Sequence, residues 1–354
     1  MTISIVFFLF NLNNIKFSNT NIQIPYKFLI CFFCINFLGF IYAVFFGGKI
    51  CNDLFYENAI RTFLAYLLSI LNASVLFLTI KKDEFAKILK KILVYFNIIY
   101  LLTFVTLFLL VISSISNGER FSGYSTNPNQ HGVLLVTIPF LAFYLFKNKI
   151  IKNWLFVLSI ITSSFLAFLI ESDAVYYCFI IILFFYFLLI FKKSKIEVKI
   201  FLIFFFTLIF YFLIFDSLML YIDQTNNNGD QANVRYVLWF NGILAFLESP
   251  IIGFGPGSFS GFFEPFESVE CHNTFIDLLT NTGLLGLVFY LFFLAKIFKS
   301  FYSKNVILPL LMLSSIIIYS LFHNILRHPT FWLLLFSLNY ISQNTNLNKS
   351  VVKK

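Results

Sequence analysis

The chain has 354 residues, with 25 Lys and Arg against 16 Asp and Glu, a formal net charge of +9, 60% hydrophobic residues and only 12% charged ones. This composition excludes a water-soluble globular domain and defines a polytopic membrane protein. The surplus of positive charge follows from membrane topology, so nucleic acid is not expected as a partner.

Apolar runs close to the roughly 20 residues needed to cross a hydrocarbon core of about 30 Å recur along the chain. They predict an all-α polytopic membrane protein of about ten (10–12) transmembrane helices, at 27–48, 61–80, 91–114, 131–147, 154–171, 174–191, 199–222, 274–297, 305–322 and 328–342. Ile3 to Leu12 would reach only roughly 15 Å as a helix and is expected to be an interfacial or partial element. Residues 1–354 then form one membrane domain, with a large extracytoplasmic loop at 223–273 and a three-helix segment at 274–342. With the N-terminus inside, only Lys49, Arg61, Arg120, Arg235 and Arg327 lie outside, which leaves 20 of the 25 basic residues in the cytoplasm. That bias sets the orientation and puts both termini in the cytoplasm. No cleavable signal peptide is expected, because the first apolar stretch lacks a basic leader and a small-residue cleavage site. Cys31, Cys34 and Cys178 fall within spans and are expected to be small apolar side chains, not zinc ligands.

Between the third and fourth spans, Glu119 to His131 holds Arg120 and the turn Asn127-Pro128-Asn129. Arg120 has no structural task there. All four arginines face outward while lysine is almost absent on that side. A guanidinium fork matches phosphate oxygens bidentately, so this pattern points to anion recognition. Within the large loop, residues 233–247 read as an amphipathic surface helix, with Val234, Val237, Leu238 and Leu244 on one side and Arg235, Trp239 and Gly242 on another. Pro250 ends it, and Gly253, Gly255 and Gly257 follow as a tight turn whose N–H groups either serve the fold or face a phosphate. Asn273 is a good N-cap for the next span, and Gly283 and Gly286 would let another helix approach closely. His272 is needed neither for capping nor for burial. Glu264, Glu267, Glu270 and Asp277 read as a solvated face, with a metal-dependent transferase as the rival use for them; no metal and no cofactor is expected.

Taken together, Arg120-x2-Gly123 with Asn127-Pro128-Asn129, Arg235-x3-Trp239, Ser249-Pro250-x2-Gly253-x-Gly255-Pro256-Gly257 and His272-Asn273-x9-Gly283-x2-Gly286 resemble the bacterial O-antigen ligase and polymerase family. The resemblance implies a membrane glycosyltransferase that acts on sugars carried by undecaprenyl pyrophosphate, in the bacterial inner membrane, by metal-independent, inverting transfer. It implies that His272 is the general base and that Arg235 binds the pyrophosphate leaving group. Arg120, Asn273, Trp239, Arg327 and Arg61 are the further candidates for the pyrophosphate and sugar site. The family's Ser-Arg pair near the outer end of a middle span is replaced here by Glu171-Ser172-Asp173, and Arg61 or Arg327 is the expected substitute. Expected partners are the undecaprenyl-pyrophosphate-linked oligosaccharide, membrane lipids, and a chain-length regulator and flippase of the same pathway. Polymerisation of repeat units is the favoured reaction. Ligation of finished polymer to a lipid core is the alternative, and a lipid-linked oligosaccharide flippase or a non-catalytic scaffold the rival from another class.

Overall fold

The computed structural model of the chain describes residues 25–46, 53–80, 84–117, 121, 131–170, 172, 174–180, 231–257, 269–304 and 307–343. Among them every regular element is helical: α1 (Tyr26–Phe46), α2 (Asp53–Thr79), α3 (Phe85–Thr106), α4 (Phe108–Asn117), α5 (Gly132–Lys147), α6 (Asn153–Ile170), α7 (Gln231–Glu248), α8 (Thr274–Ser303), α9 (Ile307–Ser320) and α10 (Pro329–Gln343). Residues 174–180 are helical as well.

Five of the described helices are long and apolar enough to cross a membrane: α1, residues Tyr56–Leu78 of α2, α3, α6 and α8. Helices α5 and α9 are shorter apolar ones. Large apolar side chains such as Phe45 and Leu109 point outward. A surface of that kind would be unstable in water and is the ordinary lipid-facing side of a membrane bundle. The span expected at 91–114 begins earlier, at Phe85, and is interrupted at Leu107 between α3 and α4. Just before the break, the Thr103 and Thr106 hydroxyls donate to the carbonyls of Ile99 and Leu102, each at 2.8 Å, a back-bonding pattern that bends helices. Most of the spans expected at 174–191 and 199–222, and the segment Ile3 to Leu12, lie outside the described residues.

Helix pairs are held by polar contacts as well as packing. Asn97 of α3 donates to Ser159 Oγ of α6 at 2.8 Å, where lipid offers neither donor nor acceptor as an alternative. Trp332, Tyr66, Tyr319, Phe331 and Phe336 fill the interior.

The feature that positions everything else is a break in α8. Gly283 has φ +61 and ψ −166, so the helix stops and restarts there. In a continuous helix the Leu284 and Leu285 N–H groups would donate to Thr280 and Asn281. Here they donate instead to the carbonyls of Pro250 and Ile251, at 2.8 and 3.1 Å, while Phe254 and Gly255 donate to the vacated Thr280 and Asn281 carbonyls, both at 2.9 Å. Four backbone groups orphaned by the break are thus satisfied by the segment that follows α7, as a low-dielectric setting demands. Gly283 therefore does not admit a neighbouring helix: a Cβ there would lie 2.3 Å from the Ile251 backbone. A Cβ on Gly286 would meet Thr282 of its own helix. The glycine turn has the fold-serving role of the two considered, since the Gly253 N–H donates to Ser249 and that of Gly255 to Asn281, which leaves neither for a phosphate.

Candidate functional site

His272 stands at the mouth of the bundle, immediately before α8, and it is strained. Its φ is +50, a left-handed conformation that costs an L-residue about 1–2 kcal/mol. Its neighbours hold it there. The Cys271 N–H donates to Asp277 Oδ1 at 3.2 Å, and Asn273 Oδ1 accepts from the N–H groups of Phe275 and Ile276 at 3.0 and 3.3 Å. Asn273 thus caps α8 as expected, with its carbonyl oxygen already engaged. Burial and Asp277 keep the Cys271 thiol well above its ordinary pKa, so it is no nucleophile.

The His272 ring has Nδ1 3.3 Å from Glu270 Oε1, and the other oxygen of Glu270 pairs with Arg327. A carboxylate facing Nδ1 favours the tautomer with its proton on Nδ1, which leaves Nε2 as the open lone pair. Burial, and then the charge of Arg235, push the His272 pKa below its ordinary value, which favours the neutral ring. Glu270 pulls in the opposite direction, but its charge is already shared with Arg327.

Arg235 is near enough for its charge to act on His272, and Gly242 sets how closely its helix approaches. The two residues lie seven apart on α7 and share a face. A Cβ on Gly242 would lie 2.4 Å from Cys271 Sγ, so only glycine lets α7 approach α8 this closely. The inward face of α7 consists of Leu238, Asn241, Gly242 and Ala245, while Tyr236, Phe240, Ile243 and Leu247 point outward. The helix expected over 233–247 is present, but its packing face is the one with small residues, not the stripe of Val234, Val237 and Leu244. Trp239 is half-buried on the same helix.

Arg327 is set by the loop between α9 and α10. Thr274 Oγ1 donates to the His323 carbonyl at 2.6 Å and accepts from the Ile325 N–H at 3.1 Å, Ser69 of α2 donates to the Arg327 carbonyl at 2.7 Å, and Trp332 Nε1 donates to the Leu326 carbonyl at 2.7 Å. Arg61, on α2, donates to Asn58 at 2.9 Å and is close enough for its charge to act on Arg327. Glu270 therefore links His272 to Arg327, while the charges of Arg235 and Arg61 act on His272 and Arg327 respectively. Arg120 lies outside the described residues, as do Glu171 and Asp173 of the departing motif; Ser172 is buried.

Two carboxylates expected on a solvated face are elsewhere. Glu270 bridges His272 and Arg327, and Asp277 is fully buried as the acceptor that fixes Cys271. Asp277 lies on the buried face of the first turn of α8, where it accepts from the Cys271 N–H. Glu264 and Glu267 lie outside the described residues. Two histidines join the neighbourhood without sequence warning. The His323 ring is 6.4 Å from that of His272 and 4.8 Å from that of Tyr319, and His328 follows Arg327 directly in sequence. The short separation of Glu270 and His272 in sequence was the available signal for Glu270. Nothing in the sequence flags His323.

Fold and site define a polytopic membrane protein with an imidazole and several guanidinium groups gathered at one end of its bundle. A family model described as O-Antigen ligase matches residues 158–291, from within α6 through the Gly283 break in α8. That stretch is similar to the O-antigen ligase family domain, which supports the relationship suggested by the motifs, and it contains three of the four; the Arg120 motif precedes it. The family implies a membrane glycosyltransferase-like enzyme with lipid-linked oligosaccharide substrates. No curated protein matches the chain.

Proposed function

We propose that the protein polymerises lipid-linked oligosaccharide repeat units into a surface polysaccharide, by inverting, metal-independent transfer from undecaprenyl pyrophosphate. An acceptor hydroxyl attacks the anomeric carbon of the donor, and its proton passes to His272 Nε2. The bond between that carbon and the pyrophosphate oxygen breaks, and its electron pair stays on the leaving group. Arg235 and Arg327 face the charge that develops there, with Arg61 and Arg120 as further contacts. Trp239 offers an aromatic face to a sugar, and Asn273 holds the turn that carries His272. Preorganised cations in a site shielded from water are the larger source of rate, and the base adds about 10²- to 10⁴-fold.

The arrangement that supports this reading best is His272 with Glu270 at Nδ1, that carboxylate paired with Arg327, and a ring whose pKa is held down by burial and the charge of Arg235. Such a site belongs to proton removal beside an anionic leaving group. A carrier would place its ionisable groups near the bilayer midplane. The working location is the bacterial inner membrane with both termini cytoplasmic, alongside a flippase and a chain-length regulator. Ligation to a lipid core is the second reading, favoured by the description of the matching family model. Gel profiling of surface polysaccharide in a deletion strain separates the two. Single repeat units on the lipid core mean that a polymerase is missing, unattached polymer means that a ligase is missing, and an unchanged profile contradicts both.

A further inference from the structure

A second site lies at the other end of the bundle. The start of α1, the second half of α8 and the end of α10 enclose a cleft of about 340 Å³. From Thr274 to Lys296, α8 rises about 30 Å, so this cleft is one membrane thickness away from His272. Phe28 stacks on Phe293 at 4.4 Å and closes the cleft toward Trp332. The outer wall is Phe292, which is 70% exposed. Lys27 of α1 and Lys296 of α8 both border it, Asn339 adds a polar group, and no carboxylate lines it among the described residues.

We propose that this cleft binds an anionic phospholipid of the lysine-rich leaflet, its phosphodiester between Lys27 and Lys296 and its acyl chains running out along Phe292. Lys27 and Lys296, both exposed, bring two positive charges to one cleft, and the group that complements them is negative. The described walls supply none, whereas the adjoining leaflet supplies phosphodiesters in quantity. Basic clefts between transmembrane helices on this side of a membrane take up acidic lipid headgroups. Size agrees: at roughly 30 Å³ per water the cleft holds about ten waters, enough for a phosphoglycerol headgroup but not for a whole lipid, whose chains must leave through the lipid-facing side. By tying α1 to α8 and α10, the lipid would stiffen the far half of the broken helix. This inference is independent of the transfer reaction.

The test is native mass spectrometry of the full chain, released from nanodiscs of equal phosphatidylglycerol and phosphatidylcholine. The wild type should retain one phosphatidylglycerol in preference to phosphatidylcholine. The double variant Lys27→Gln, Lys296→Gln should bind it about 25-fold more weakly, about fivefold per lysine. Lys27→Arg with Lys296→Arg should keep it, and so should Lys299→Gln, an exposed lysine outside the cleft. Equal retention of the two lipids by the wild type overturns the proposal, as does undiminished retention by the double glutamine variant or equal loss in the double arginine variant.

Discussion

His272 Nδ1 lies 3.3 Å from Glu270 Oε1, and the same carboxylate pairs with Arg327. One acidic side chain therefore orients the candidate base and steadies a candidate phosphate ligand. Glu270→Gln keeps the shape and removes the charge. Removing the carboxylate also removes an influence that favours the imidazolium, so the His272 pKa should fall further. We expect activity to drop by about 10²-fold, in the range that general-base catalysis contributes, with the acid limb of the pH–rate profile moved to lower pH. An unshifted limb would show that Glu270 acts on Arg327 alone.

The left-handed φ of His272 sets stability against chemistry. Glycine adopts φ +50 without strain, whereas alanine pays the full cost of about 1 kcal/mol or more. Neither variant should transfer sugar. His272→Gly should melt at or above the wild type and clearly above His272→Ala. A glycine variant less stable than the alanine one would mean that the turn is not strained.

Gly283 tests the exchange of hydrogen bonds that joins the broken helix to the segment after α7. In Gly283→Ala the new Cβ meets the Ile251 backbone at 2.3 Å, where no side-chain rotation gives relief, and φ +61 adds its own penalty. The detergent-solubilised variant should melt well below the wild type and lose activity with its structure. Wild-type melting would show that α8 runs unbroken through this position.

These elements also show what can be read before folding. The all-helical membrane class and the helix after residue 231 follow from hydropathy and periodicity, because each rests on local pattern. The role of Gly283 does not: two glycines three apart read equally as a helix-packing face, and only the pairing of Leu284 and Leu285 with Pro250 and Ile251 decides the matter. Glu270 and Asp277 were misread for a related reason. Carboxylates near the outer end of a span normally face water, but Asp277 sits on the packed face of the first turn of α8 and Glu270 is held by His272 and Arg327. His323 and His328 come from a connection distant in sequence that Thr274 ties to the site.

Acid should inactivate the protein by two routes. His272 has a folded pKa below the ordinary 6.5. The unfolded chain therefore takes up a proton that the folded chain refuses as pH falls below about 6.5, and stability falls with it. Activity should be level above pH 6.5 and decline below it. Arg235→Gln removes a charge that lowers the His272 pKa, so its residual activity should decline at higher pH than that of the wild type. Measured pH–rate and pH–melting curves check both expectations.

Arg235→Lys distinguishes a fork from a point charge. The ammonium keeps the charge but makes no bidentate contact with pyrophosphate oxygens. If the arginine binds the leaving group, most activity disappears while the melting temperature stays within a few degrees of the wild type. Full activity in the lysine variant would reduce Arg235 to a general electrostatic role.

The most direct test is transfer by the purified protein in liposomes, supplied with an undecaprenyl-pyrophosphate-linked repeat unit in the presence of chelator. The wild type should lengthen the glycan and release one lipid pyrophosphate for each bond formed, while His272→Ala, folded to the same melting profile within a few degrees, should fall at least about 10²-fold. Elongation at the wild-type rate by the alanine variant, or activity that vanishes with chelator and returns with a divalent cation, would contradict the assignment of His272 as the base of a metal-independent transferase.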